Sequence, residues 1–381
     1  MIDSSSNDFL NDSLPIYTAT RPGLVDVIGG VNRLLGDEGV ALPVACPLAV
    51  RVQVTGLGRV VVLDESGLHP DEPRVLELHR AAGRGTGDLA GAVEQFLRVH
   101  PGFPFPDGLS VAVAHQIPPF SGILWREPLE GALTEALARI PGSFSAPSIT
   151  ADAGPGGTWV AIDTGYPAPP DSVHGEHVAT AALMAFRLVA DHAGLPVREV
   201  RRGLVSIEDP VWRGSPLNLP PSVWEGMFRH RIPESMTGEA FLDIYGGIND
   251  PRFRVERSQH YALRGSLHFV CNEAARARLM RALPPACWVG EALAPLGELL
   301  YHSHAQADVL GLSVEPANAL VSMAMERGSA RGIHGARLTG LGGGGTVVLL
   351  IEPGAQAEVD DLCHEYEAEV GLTPHVIPSR E

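Results

Sequence analysis

The stretch Gly335-Ala336-Arg337-Leu338-Thr339-Gly340-Leu341-Gly342-Gly343-Gly344-Gly345-Thr346 places six glycines in its first eleven positions and runs straight into the apolar segment Thr346–Ile351. Glycine carries no Cβ, so backbone N–H groups in such a run can approach an anion closely, and a strand that follows at once holds the loop against a sheet. Glycine runs also serve as plain tight connections, so the context has to decide. The same pattern recurs near the amino terminus, where Thr20-Arg21-Pro22-Gly23-Leu24-Val25-Asp26-Val27-Ile28-Gly29-Gly30 precedes a second apolar, β-branched segment. That recurrence favours an anion site.

Working outward, residues 16–27, 40–54 and 59–63 have strand character and predict an antiparallel β arrangement. Asp88 stands where it would cap a helix reaching Val99, with Leu89, Val93, Phe96 and Leu97 on one face. Leu109–His115 is a further strand stopped by Ile117-Pro118-Pro119, and residues 127–140 have helical spacing. Residues 141–157, rich in Pro, Ser, Ala and Gly, form a linker. Beyond it come a strand at Thr158–Asp163, an alanine-rich buried helix over residues 177–193, and helical patches at 222–228 and 235–245. A helix over 291–310 follows, then another from residue 313 with Pro316 in its first turn, and an amphipathic segment over 355–370. The polar start, residues 1–17, is expected to be disordered, residues 18–150 to form one lobe and residues 151–381 a second. The fold class is α+β.

Composition narrows the chemistry. In 381 residues, 45 Asp and Glu against 28 Lys and Arg give a formal charge of −17, which repels nucleic acid and anionic membranes where no basic patch offsets it. All 28 basic residues are arginine, so a Schiff-base lysine and a phosphate loop of the G-x-x-x-x-G-K type are both excluded. Four cysteines without a C-x-x-C pair read as reduced thiols of a cytoplasmic protein. The sequence shows no signal peptide and no apolar run of about 18 residues that would span a membrane. His302 and His304 lie two apart, which points them to different faces of a helix, and His174 and His177 add no H-x-x-x-H pair, so no metal-ligating set is expected.

Together the two glycine stretches resemble the first and third motifs of the GHMP small-molecule kinases, and most of all the L-arabinokinase and galactokinase branch. Pro22-Gly23-Leu24-Val25-Asp26-Val27-Ile28-Gly29-Gly30 is similar to that branch's P-G-R-L-D-V-M-G-G. Trp159-Val160-Ala161-Ile162-Asp163, Pro233-Glu234-Ser235-Met236-Thr237-Gly238, Asn249-Asp250-Pro251 and Leu296-Gly297-Glu298-Leu299-Leu300-Tyr301 resemble further family segments in the same order. The resemblance implies a two-lobed fold that binds ATP with Mg²⁺ and holds a sugar or sugar-like cyclitol in the cleft. It also implies that phosphates meet Gly342, Gly343, Gly344 and Gly345 together with Ser121 and Gly122 of the second motif, and that substrate meets Asp26, Gly29, Gly30 and the position of Arg33; Arg126, which the family lacks, is either a bidentate phosphate clamp or a surface arginine. Phosphoryl transfer in such a site is mostly positioning and charge neutralisation.

The chain departs from the family where that chemistry is concentrated. The serine-rich second motif is replaced by Pro118-Pro119-Phe120-Ser121-Gly122-Ile123-Leu124-Trp125-Arg126-Glu127-Pro128. The family's arginine in the first motif falls on Leu24, its sugar-holding aspartate on Arg33, and the segment bearing its catalytic base is missing. Asp163 is the candidate to orient the acceptor hydroxyl. The resemblance therefore leads to an ATP-dependent sugar or cyclitol kinase with an atypical site. The alternative is a repurposed or non-catalytic member that binds a polar small molecule without phosphoryl transfer.

Overall fold

The long strands β1 (Ile16–Ile28) and β2 (Val40–Val54) form an antiparallel pair, joined by a 3-10 turn at Gly30–Arg33. Ahead of them Leu10 is buried, and the Asn11 N–H donates to Gln53 of β2 at 2.9 Å. In chain order follow β3 (Val60–Asp64), β4 (Arg74–Leu76), helix α1 (Leu89–Val99), β5 (Leu109–His115) and helix α2 (Arg126–Ala138). This computed structural model describes residues 9–11, 13–37, 39–56, 58–65, 74–76, 89–99, 108–115, 117, 123–141, 156–166 and 174–378.

The first sheet has the order β1-β2-β5-β3-β4. The expected all-antiparallel arrangement is corrected at one pairing, because β3 lies parallel to β5. Parallel neighbours need a crossover, here supplied by the chain that contains α1. Leu48, Val50 and Val52 of β2 and Val111 and Val113 of β5 share a core with Leu129, Leu133 and Leu137 of α2 and with Val93 and Phe96 of α1.

The second half begins with β6 (Thr158–Asp163) and α3 (His174–His192), then β7 (Val197–Arg201), β8 (Gly203–Ile207) and the single turn α4 (Pro221–Val223). Residues 222–228 were expected to be helical. They comprise the end of that turn followed by a π-type turn at Trp224–Phe228. Then come β9 (Met236–Thr237), α5 (Gly238–Tyr245), β10 (Gly247–Ile248), β11 (His260–Tyr261) and α6 (Leu263–Ala282). The chain continues with α7 (Leu293–Val309), α8 (Glu315–Arg327), β12 (Ile333–Leu338), β13 (Thr346–Ile351), α9 (Gln356–Val370) and β14 (His375–Ile377).

Strands β12, β13, β6 and β14 form an antiparallel sheet in that order. Strand β13 is buried on both faces, and its alternation divides two cores: Val347, Leu349 and Ile351 join α8 and α9, while Val348 and Leu350 join the core of the first sheet. The glycine stretch is thus partly strand, since residues 335–338 pair with β13 and only residues 339–345 form the connection. All four cysteines are free, and among the described residues no helix is long and apolar enough to cross a membrane.

Where Gly297 of α7 meets His334 and Gly335 of β12 there is no room for a side chain. A Cβ on Gly297 would stand 1.8 Å from the His334 carbonyl oxygen, and one on Gly335 would stand 2.4 Å from the Gly297 Cα. Backbone cannot yield as a side chain does, so Gly297→Ala should cost at least about 2 to 3 kcal/mol by overpacking. Urea denaturation beside the exposed neighbour Glu298→Ala measures this; equal stabilities would mean that the helix and strand separate easily.

Candidate functional site

The two glycine stretches meet. Gly29 and Gly30, at the end of β1, have φ of 141° and 43°, and a Cβ on Gly30 would lie 2.8 Å from the Gly340 carbonyl oxygen. Only glycine fits such an approach with that backbone. In the connection after β12, Gly340, Gly342 and Gly343 have φ of 77°, 97° and 75°. The Thr339 N–H donates to the Thr346 carbonyl at 3.0 Å and closes the loop, while the Gly343 N–H donates to the Leu312 carbonyl at 2.9 Å. A Cβ on Gly345 would stand 2.4 Å from Thr164 Oγ1. The hydroxyls of Thr164 and Thr346, both buried beside this loop, have no hydrogen-bond partner.

Beneath the loops lies a buried network of charges. Asp26 is fully buried, and its Oδ1 accepts from Arg33 Nε at 2.8 Å while Oδ2 accepts from the Gly30 N–H. The Asp26 N–H donates to Thr339 Oγ1 at 2.9 Å, which joins β1 to the far glycine loop. Arg337 of β12 donates through Nη1 to the Val27 carbonyl at 2.7 Å and places the same nitrogen 3.6 Å from Asp26 Oδ2. Its Nη2 stands 3.4 Å from Glu273 Oε1, and the Gly29 N–H donates to that oxygen at 3.1 Å. Arg276 Nη1 and Ser303 Oγ donate to Glu273 Oε2 at 2.9 and 2.8 Å.

These contacts set the protonation of the network. Burial alone would push the Glu273 carboxyl up, but Arg337 and Arg276, with Ser303 and the Gly29 N–H, outweigh it and hold the carboxyl below its ordinary value. Burial works against the charge on Arg33, and Asp26 and Glu127 outweigh that, so its pKa is raised. His304 of α7 is pushed down to about 4, first by burial and then by the Arg337 charge. The ring is therefore neutral at pH 7, and its Nδ1 accepts from the Leu338 N–H at 3.2 Å, which ties α7 to the strand leading into the loop.

Arg33 reaches outward from this network. Its Nη1 donates to Glu127 Oε1 at 2.6 Å, in the first turn of α2. An antiparallel bridge between Leu24 and Leu124 holds the segment before α2 against β1. Arg126, the first residue of α2, is exposed and donates to Gln95 of α1 at 2.7 Å. Ser121 and Gly122 lie outside the described residues. Asp163 ends β6 opposite Thr346 and His375, and its Oδ1 accepts from the Gly165 N–H at 3.0 Å.

The structure thus brings Asp26, Gly29, Gly30 and Arg33 together with the loop bearing Gly342, Gly343, Gly344 and Gly345, and sets Asp163 beside the strand end of that loop. Arg126 is engaged by Gln95. Glu127, Glu273, Arg276, Ser303 and Arg337 were not singled out from the sequence. Three of the five, Glu127, Ser303 and Arg337, stand inside stretches read for other reasons.

Residues 289–368 match the family described as GHMP kinases C terminal. The galactokinase of Lactococcus lactis, solved in complex with galactose, superposes with a TM-score of 0.67 over 98% of this chain and 95% of that chain, at 15% identity. The chain has the GHMP kinase fold. In sequence the chain is similar to the L-arabinokinase of Arabidopsis thaliana, 26% identical over 165 residues. That match covers 41% of this chain and 16% of the longer relative, so the chain spans a small part of that protein.

The network makes acid stability a readout of this site. Below the ordinary histidine value of 6.5 the unfolded chain takes up a proton that folded His304 refuses until about pH 4, so stability is lost as pH falls through that window. At pH 5 the deficit is about 1.5 units, or roughly 2 kcal/mol at 1.36 kcal/mol per unit. His304→Asn keeps an acceptor near the Leu338 N–H without the titration. Between pH 7 and 5 the wild type should lose about 2 kcal/mol more than this variant in urea unfolding; parallel curves would show that His304 is not held neutral.

Proposed function

We propose that the protein is an ATP-dependent kinase that phosphorylates a hydroxyl of a sugar or sugar-like cyclitol through an altered GHMP site. The observation that carries this reading is the close approach of Gly30 to the Gly340 carbonyl beside a loop of left-handed glycines. GHMP kinases use ATP, generally with Mg²⁺, and the unpartnered hydroxyls of Thr164 and Thr346 fit phosphate oxygens near that loop. Bound ATP with Mg²⁺ supplies the transferable phosphoryl group and a cation that neutralises its charge.

In this reading the chain's own residues divide the work. Backbone N–H groups of Gly342, Gly344 and Gly345 face the phosphates, while the Gly343 N–H holds the loop to the Leu312 carbonyl; Arg126 stands at the start of α2. Arg126 would have to leave Gln95 to take part. Asp26 acts by holding Arg33, since both its oxygens are engaged by the chain. Arg33, with Gly29 and Gly30, lines the acceptor side, and Asp163 orients the acceptor hydroxyl. The two lobes, residues 18–150 and 151–381, close around these groups, and a cytoplasmic small molecule is the partner we assign.

A second reading is favoured by Glu127. A carboxylate in the first turn of α2, paired with Arg33, stands near where the family's serine hydroxyls would meet phosphate, and it repels a second anion. That arrangement suits a polar small molecule bound without phosphoryl transfer.

Unfolding with and without ATP and Mg²⁺ separates the readings, because a ligand at about 100 times its Kd adds roughly 2.7 kcal/mol. We expect that gain in the wild type and its loss in Gly343→Val, with the variant still folded. Stabilisation without turnover of any pentose, hexose or cyclitol would leave the second reading, and no stabilisation at all would remove nucleotide from the site. If phosphoryl transfer is found, Asp163→Asn should lower kcat by at least about tenfold with ATP affinity unchanged, as for a residue acting on the acceptor. An unaltered kcat would return Asp163 to the turn it makes with Gly165.

A further inference from the structure

The loop after β8 is held from two sides. Asp209 Oδ1 accepts from the N–H groups of Val211 and Trp212 at 2.9 and 2.8 Å, and Oδ2 accepts from the Gly214 N–H at 3.1 Å. Trp212 is buried and packs edge-on against Phe186 and Phe228, with ring centroids 6.3 and 5.7 Å away. Between these anchors Arg213 has φ 55°, the one non-glycine residue in the left-handed region among the described residues. Such strain persists only where the surroundings over-determine it, and it gathers at ligand-holding positions.

Arg213 lines a cleft of about 430 Å³ with Val200, Leu204, Ser206 and Asn249, among others. Nearby Arg198 and Arg252 are paired with Glu208 and Asp250, but among the described residues Arg213 is exposed and has no carboxylate partner. Asn249 donates through Nδ2 to the Gly214 carbonyl at 2.6 Å, and its buried Oδ1 has no partner. Val200 is the extra residue of a β-bulge: Glu199 pairs with Val205 and Arg201 with Leu204, which leaves Val200 between them and 61% exposed. Bulges re-aim side chains in this way beside binding sites. Asn249 and Pro251 belong to a segment singled out in the sequence that the phosphoryl-transfer reading leaves unused.

We propose that this cleft binds a small hydroxylated anion, a carboxylate or a phosphate ester. The anionic group lies on the Arg213 guanidinium, a hydroxyl donates to Asn249 Oδ1, and the carbon chain lies over Val200 and Leu204. An unpaired arginine in a chain of charge −17 is a local cation that a small anion can reach, whereas a polyanion meets the repulsion of the whole surface. No residue of the glycine loops lines the cleft, so the site is independent of the proposed kinase site.

The test follows the indole N–H of Trp212, one of five tryptophans, and the Gly214 amide in ¹H–¹⁵N spectra of the full chain. Lactate and glycerol 3-phosphate are titrated separately at fixed ionic strength. Saturable shifts are expected with at least one: lactate alone assigns a carboxylate, the phosphate ester alone a phosphate, and both the shared anion chemistry. Arg213→Gly removes the guanidinium and relieves the left-handed strain, so it should melt no lower than the wild type while binding at least tenfold more weakly. Gly343→Val should bind as the wild type does. Absence of saturable shifts with both probes, or equal affinity in Arg213→Gly, overturns the proposal. So does loss of binding in Gly343→Val, which would place the anion at the glycine loop instead.

Discussion

Arg337 is the side chain on which the meeting of β1 with the glycine connection turns. It leaves β12 just before the glycine loop, donates to the carbonyl of Val27 in β1, and stands between the buried carboxylates of Asp26 and Glu273. Each carboxylate also accepts from one member of the Gly29-Gly30 pair, Asp26 from Gly30 and Glu273 from Gly29. The amino-terminal glycines and the carboxy-terminal loop are therefore fixed to the same few charges. A buried pair of this kind is weak evidence for net stability, but removing one partner typically costs about 3 to 5 kcal/mol, because an uncompensated charge is left inside. The network sets position more than it adds stability.

That constraint shapes what the site can do. Arg33 is half committed: one edge of its guanidinium holds Asp26 and another nitrogen meets Glu127 at the mouth of α2. Where phosphate-binding serines would stand, the chain has Leu124, Trp125 and an arginine turned to Gln95. The anion-attracting features that remain lie on the other side, in the left-handed glycines and the unpartnered threonine hydroxyls.

Much of this was legible in the sequence, because the decisive features are local. The glycine stretches, the apolar β13 and the strand ending in Asp163 each announce themselves within a few residues. Helix α6 did not, because its buried surface mixes Leu267, Phe269 and Val270 with Ser266, Glu273 and Arg276, so no apolar stripe of helical period appears. Its charges make sense only beside Arg337, more than fifty residues away in sequence. The parallel pairing of β3 with β5 was hidden for a related reason, since strand pairing depends on partners that local pattern does not name. Asp26 was legible as a residue of interest, but the resemblance set it against substrate; the structure gives both its oxygens to the chain.

The absence of lysine takes on a structural meaning in this setting. Arg337 uses Nη1 for a carbonyl and one carboxylate and Nη2 for another; Arg33 uses Nε and Nη1 for two different acids; Arg276 uses Nη1 for Glu273 and Nη2 for Gln306. A planar fork with several donors can bridge separate acceptors in fixed directions, which the compact ammonium of lysine on its flexible stem does less well. These arginines are for that reason already engaged, and they offer little free charge to a phosphate entering the cleft. An anion bound beside these arginines would then be met chiefly by backbone N–H groups. That places the burden on the glycine connection, where the absence of Cβ atoms permits the approach.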